Sequence, residues 1–272
     1  MVSVVTFDNE DFAVRDESAD SSEHPLRRWA SLSLRLLLLG TLTPVVASVA
    51  LVTAVLGKSF SSRLSAFVIP HVMGLLDSRL RDVRKECLKS IHGKVIDVGC
   101  AHGGYLSYYS SNAERLRRIV MLEPNVHHNR RLQENINRCR AQNPRMKDVE
   151  IVVENRFLED LPASEDGTFD WVVLGNVMCE IPFPSAAVRE LDRLLRRGGR
   201  VYFCEHIAHE QGTWMRFAQD VLNPWWYRAS DGCNINRCTV HTLQSMGWRL
   251  QYWSFMRQSI APMVVGIAVK DS

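Results

Sequence analysis

From Lys94 onward the apolar positions fall into short dense blocks, separated by stretches in which they recur every three or four residues. KVIDVG (94–99), IVMLE (119–123), VEIVVEN (149–155), FDWVVLGNVM (169–178) and RVYFCEHI (200–207) read as strands. YLSYYSSNAERLRR (105–118), HHNRRLQENINRCRAQN (127–143) and SAAVRELDRLLRR (185–197) read as the helices between them. LLRRGG (194–199) marks a helix stop and a glycine reversal before the fifth strand. Strands alternating with helices predict an α/β fold with a mostly parallel sheet and helical crossovers. The pattern then changes. VHTLQSMG (240–247) is helical, and WRLQYWSF (248–255) and MVVGIAVK (263–270) read as two closing strands, which gives an antiparallel C-terminal strand.

Three segments precede this region (94–272). In the connector, 58–93, Leu75, Leu76, Leu80, Val83 and Leu88 recur at helical spacing with charged residues between them, as in a helix packed on the following domain. Within 29–57, the run Leu36–Gly57 carries no charge and has about the ~20 residues of a membrane span. Pro44 interrupts it near the middle, which permits a kinked single span or a hairpin in one leaflet; the hairpin, with both flanks on the cytosolic side, is the expected form. Residues 1–28 open with seven acids against Arg15 in the first 24 positions, the composition of a disordered tail. The chain has a formal net charge of +3, but no Lys/Arg run interleaved with aromatics, so a nucleic-acid partner is not expected. Seven scattered cysteines fit reduced thiols in a cytosol-facing domain.

The candidate chemistry begins at KVIDVGCAHGGY (94–105). A glycine-rich turn between a first strand and its helix lets backbone approach a ligand closely. Gly99, Ala101 and Gly104 can be aligned with a dinucleotide pattern, but a carboxylate at Asp97 would repel a pyrophosphate. The run D-x-G-x-A-x-G, from Asp97 through Gly99 and Ala101 to Gly103, suits a cationic ligand instead. S-adenosyl-L-methionine (SAM) carries an ammonium and a sulfonium and no phosphate. Glu123, ending the second strand, is placed to accept hydrogen bonds from ribose hydroxyls. RFLEDLP (156–162) follows the third strand, where Phe157 and Leu158 would flank an adenine and Glu159 or Asp160 reach its amino group. Asn176 and Val177, ending the fourth strand, border the methionine part. Glu205 and His206 end the fifth strand, at the edge where α/β sheets bind ligands. His206 is the candidate for deprotonating or orienting an acceptor, with Glu205 beside it. Trp214, Phe217, Val221, Leu222, Trp225, Trp226 and Tyr227 suit an apolar pocket wall, a membrane interface or ordinary core. Cys233, Cys238 and His241 match no complete four-ligand spacing, so no metal is expected.

VIDVGCAHG, Glu123, FDWVVLGNVM and LLRRGG resemble class I SAM-dependent methyltransferases, whose fold is a Rossmann-like doubly wound sheet. Ala101 stands where a glycine is usual, and Arg197 where a proline is common. The hydrophobic N-terminal segment together with FCEHIAHEQGTWMRFAQDVLNPWWYRASDGCNINR (203–237) resembles the membrane-associated methyltransferase-like 7 family. That resemblance implies an enzyme with SAM as cofactor that methylates small lipophilic thiols. It also implies an anchor in the endoplasmic reticulum or on lipid droplets. O- or C-methylation of a quinone or other lipid, or a methyltransferase fold without turnover, are the alternatives.

Overall fold

The computed structural model describes residues 44, 48, 50–230, 232–255 and 259–270. The expected acidic tail and most of the expected anchor lie outside them. Among the described residues, no helix is long and apolar enough to cross a membrane.

Helix α1 (Lys58–Leu88) is followed by β1 (Gly93–Val98), α2 (Leu106–Ser110), β2 (Leu116–Leu122), α3 (Asn129–Gln142) and β3 (Glu150–Glu154). Next come β4 (Phe169–Gly175), α4 (Pro184–Leu194), β5 (Leu195–His206), α5 (Trp214–Ala229), α6 (Thr239–Gln244), β6 (Arg249–Phe255) and β7 (Met263–Val269). The seven strands form one sheet in the order β3-β2-β1-β4-β5-β7-β6. β1 pairs in parallel with β2 and β4, β2 with β3, and β4 with β5. β7 alone runs antiparallel, to β5 on one side and β6 on the other. This is the doubly wound sheet expected from the sequence. The strand order reverses between β1 and β4, so the crevice at their carboxyl ends is where such a sheet binds a ligand.

β1, β4 and the middle of β5 are apolar on both sides because both faces are covered. One face carries Val95, Trp171, Val173 and Tyr202 against α1, α2 and α3 through Leu80, Leu88, Leu106, Tyr109 and Leu132. The other carries Ile96, Val172, Val201 and Phe203 against α4 and α6 through Val188, Leu191 and Leu243. Leu80 and Leu88 of the connector helix are fully buried, as expected from their spacing.

Two local expectations need correction. The helix expected over 105–118 stops at Ser110; Ala113–Arg115 is a short 3-10 turn and Leu116–Arg118 already belong to β2. Ser111 Oγ donates to the Ser107 carbonyl, and Asn112 Nδ2 donates to the carbonyls of Leu88 and Tyr108, which ends the helix. Likewise Leu195 and the two arginines after it lie at the start of β5, not in a helix, with Leu195 opposite Phe169. In both places pairing to a neighbouring strand overrides helix propensity.

Candidate active site

The first strand delivers Asp97 to the sheet's carboxyl edge with 1% of its surface exposed. Tyr109 of α2 donates its hydroxyl to Asp97 Oδ2 at 2.7 Å. Oδ1, also buried, has no hydrogen-bond partner among the described residues. Burial raises the Asp97 carboxyl to about 7; the Tyr109 bond opposes this and the Glu123 charge adds to it. A buried, half-satisfied carboxylate is a place for a cationic donor.

The turn after Asp97 is left-handed at Gly99 (φ 61°) and again at Ala101 (φ 48°). A side chain on Gly99 would meet Val177 Cγ2 at 2.7 Å, so this glycine lets the β1 and β4 ends approach each other. Ala101 accepts a conformation that an L-residue adopts at a cost, which explains why glycine is usual there. Its N–H donates to Glu123 Oε2 at 2.7 Å, and the Asn125 N–H donates to Oε1 at 2.8 Å. Glu123 thus ties the first turn to the second. Asn125 Nδ2 in turn donates to the Ser62 carbonyl, which brings α1 over this edge.

Phe157 is 62% exposed and Leu158 is buried. Asp160 Oδ2 accepts the Phe157 N–H at 3.1 Å, so this acid caps its own turn. Asn176 adopts φ 59° where β4 ends. The residues after it are held from below: Glu205 Oε1 accepts the N–H groups of Val177 (3.0 Å) and Met178 (3.2 Å). Glu205 is fully buried, and Oε2 has no partner among the described residues. The structure therefore gives Glu205 a scaffolding task that the sequence did not disclose.

His206 stands at the end of β5, with Nδ1 3.8 Å from Cys233 Sγ. Cys233 Sγ lies 3.2 Å from Cys179 Sγ. Burial pushes His206 down, while its bond to Cys233 and that thiol's charge raise it further, for a net upward shift. Cys238 and His241 are exposed and take no part. The partners of Cys233 come instead from the loop after β4 and the last residue of β5. Gln219, a fully buried residue, ties the segment after β5 to the segment of Cys233: its Nε2 donates to the carbonyls of Ile207, Ile235 and Ile260, and its Oε1 accepts the His209 N–H. Gln219 was not singled out from the sequence; a lone glutamine in an aromatic helix was the only signal.

The segment holding the aromatic residues is mixed. Leu222 is buried and Trp226 packs on Cys179, Cys233 and Ile235, while Phe217, Val221, Trp225 and Tyr227 are exposed.

Residues 74–252 match the methyltransferase domain family. The chain belongs to this family. It is a SAM-dependent enzyme, and the orphaned Asp97 oxygen beside the left-handed turn fits the cationic cofactor. Human thiol S-methyltransferase TMT1B is 30% identical over 192 residues, 69% of this chain and 75% of that protein. Human thiol S-methyltransferase TMT1A is 31% identical over 185 residues, 65% of this chain and 70% of that protein. Among solved structures, a geranyl diphosphate methyltransferase in complex with SAM superposes with a TM-score of 0.54 at 15% identity, covering 72% of this chain and 86% of that one. YcgJ from Bacillus subtilis gives 0.52 at 14% identity, covering 74% and 99%. At these identities the two structures establish the fold.

Proposed function

We propose that this methyltransferase transfers the methyl group of SAM to the sulfur of a small lipophilic thiol, working at a membrane or lipid-droplet surface with its catalytic domain facing the cytosol. The observation that carries the thiol is the 30–31% identity to two enzymes named thiol S-methyltransferases, over most of their length. When bound, SAM supplies an electrophilic methyl on a positive sulfonium. Asp97 would hold the cofactor's ammonium and Glu123 its ribose hydroxyls, with the Gly99–Gly103 backbone and Val177 along its length. Phe157 and Leu158 would flank the adenine. Asn176 and His206 stand at the neighbouring strand ends, where an acceptor must be aligned and kept from water. A thiol, with a pKa near 8.5, requires little help to ionise, whereas an alcohol requires a strong base.

An acceptor panel with labelled SAM tests this reading. Alkyl thiols are expected to take the label, with catechols and quinols far slower. Label on oxygen or carbon alone would replace the thiol reading with a quinone or lipid acceptor. SAM binding without transfer to any acceptor would leave a non-catalytic fold.

The surface supports the membrane part. Leu51, Val52, Val55 and Leu56 are exposed just before α1, and Thr53 Oγ1 between them donates to the Arg228 carbonyl near the end of α5. On α5, Phe217, Val221 and Trp225 are exposed at a spacing of four, one stripe of the helix. Two neighbouring elements thus present apolar side chains to the exterior, as an interfacial anchor does. Full-length protein is expected to float with phospholipid vesicles, and the double variant Val55→Asp/Val221→Asp to float less. Flotation of neither protein would overturn the anchor.

A further inference from the structure

Cys179 in the loop after β4, His206 at the end of β5 and Cys233 in the loop after α5 are far apart in sequence, yet their donor atoms all lie within 4.8 Å of one another. The Sγ–Sγ separation is 3.2 Å and the Cys233 Sγ–His206 Nδ1 separation 3.8 Å. Around a tetrahedral zinc the corresponding separations are about 3.8 Å and about 3.6 Å, so the sulfurs would move apart by about 0.6 Å and the imidazole nitrogen would close in by about 0.2 Å. A disulfide, by contrast, requires sulfurs about 2.05 Å apart.

The surroundings are those of a built site. Cys179 and Cys233 are 1% and 5% exposed, and His206 keeps part of its surface exposed. The Cys179 carbonyl accepts both the Asn234 N–H (2.9 Å) and Asn234 Nδ2 (3.1 Å), which fixes the two cysteine loops against each other. Directly before His206 lies Glu205, fully buried and with Oε2 unpartnered among the described residues. A buried carboxylate beside two thiols calls for positive charge, and among the described residues the adjacent imidazole of His206 is the group that supplies it. A divalent ion would balance two thiolates and leave a net environment that tolerates burial.

We infer that Cys179, His206 and Cys233 form a Cys2His site for a zinc-like divalent ion whose fourth position takes the sulfur of the acceptor thiol. Three protein ligands with an open position is the pattern of catalytic rather than structural zinc. The inference rests on the thiol reading for the fourth ligand but not for the three protein ligands. The chemistry balances. The acceptor's S–H bond breaks as its sulfur binds the ion, and the proton leaves to water. A sulfur lone pair then forms the new S–CH3 bond, while the bond from the methyl carbon to the sulfonium sulfur breaks and its electron pair stays on that sulfur. The neutral thioether product is a weaker ligand than a thiolate and departs, leaving the ion in place.

The test uses untagged full-length protein, stripped with chelator and titrated with zinc and, separately, with cobalt(II). About one equivalent of either metal per chain is expected, with thiolate-to-cobalt charge-transfer absorption that changes when an alkyl monothiol is added. Cys179→Ser and Cys233→Ser should lose that absorption. His206→Gln should weaken metal binding at least tenfold while its circular dichroism and SAM affinity stay those of the parent. Failure to bind metal in reduced protein, a Cys179–Cys233 disulfide in its place, or a cobalt spectrum indifferent to the thiol would overturn the site as described. Metal stoichiometry is read without turnover, so a protein that binds cobalt but methylates only quinols refutes the thiol reading and not the three ligands. Full thiol methylation by metal-free protein upholds the thiol reading and overturns the ion as the acceptor's ligand.

Discussion

Replacing Asp97 with asparagine is expected to stabilise the ligand-free protein at pH 8 while weakening SAM binding about 10- to 100-fold. The carboxyl is fully buried and titrates at about 7 in the fold against 3.8 outside it, chiefly because burial disfavours its charge. Between those values the folded state holds a proton that the unfolded state has lost. Stability from this group is therefore complete below about pH 4, falls as pH rises towards 7, and stays low above it. Ionised Asp97 costs the ligand-free fold on the order of 4 kcal/mol at pH 8. Asparagine keeps an oxygen for the Tyr109 hydroxyl and removes that charge. A gain of at least about 1 kcal/mol, or 2–4 °C in melting temperature, should appear at pH 8 and vanish near pH 5. Calorimetry should show the opposite for SAM, because a hydrogen bond to a charged partner contributes about 1.5–3 kcal/mol. In the parent protein the cofactor's cation selects the ionised form, so affinity should drop about tenfold per pH unit below 7. Unchanged SAM affinity in Asp97→Asn would remove Asp97 from the site. An unchanged melting temperature at pH 8 would remove the ionised buried carboxylate.

Glu205→Ala should have the opposite effect on stability and a larger one. Two backbone N–H groups, of Val177 and Met178, lose their acceptor in the interior. Each such loss costs about 1–3 kcal/mol. Burial raises the Glu205 carboxyl to about 7, so near pH 5 it holds its proton in the fold and its removal relieves no buried charge. There the variant should unfold with about 2–6 kcal/mol less free energy. Asn176, held at φ 59°, would lose the support of the residues that follow it. Glu205→Gln keeps an acceptor oxygen and should lose less than half as much. Denaturant titration of the two variants distinguishes them. A Glu205→Ala protein as stable as its parent would show that these bonds do not hold the β4 end. An equal loss in both variants would transfer the role from the hydrogen bonds to the charge.

The two variants separate what was legible in the sequence from what was not. Asp97 and the turn after it could be read directly, because the signal is local: an apolar strand running into an acid and then into residues that tolerate left-handed backbone. Glu123 followed from the next strand end, since parallel strands joined by crossovers must bring their carboxyl ends to one edge. The order of strands and helices came from periodicity, which depends only on which positions each element buries. The extent of α2 did not. Its residues from Leu116 on have helical neighbours in sequence but strand partners in space, and Gly93 and Glu150 decide their state.

The acceptor side was decided by tertiary structure. Cys233 was weighed with Cys238 and His241, its neighbours along the chain, whereas its contacts are His206, 27 residues away, and Cys179, 54 residues away. Glu205 read as a catalytic candidate together with His206, with which it ends β5; only the fold shows that one of its oxygens accepts from the backbone after β4. Both facts depend on β4 and β5 lying side by side and on Gln219 drawing three carbonyls from separate loops onto one side chain. Periodicity records which face of an element is buried. Which loops meet across the sheet's edge is set by long-range hydrogen bonds between single residues, and these leave no repeating mark in the sequence.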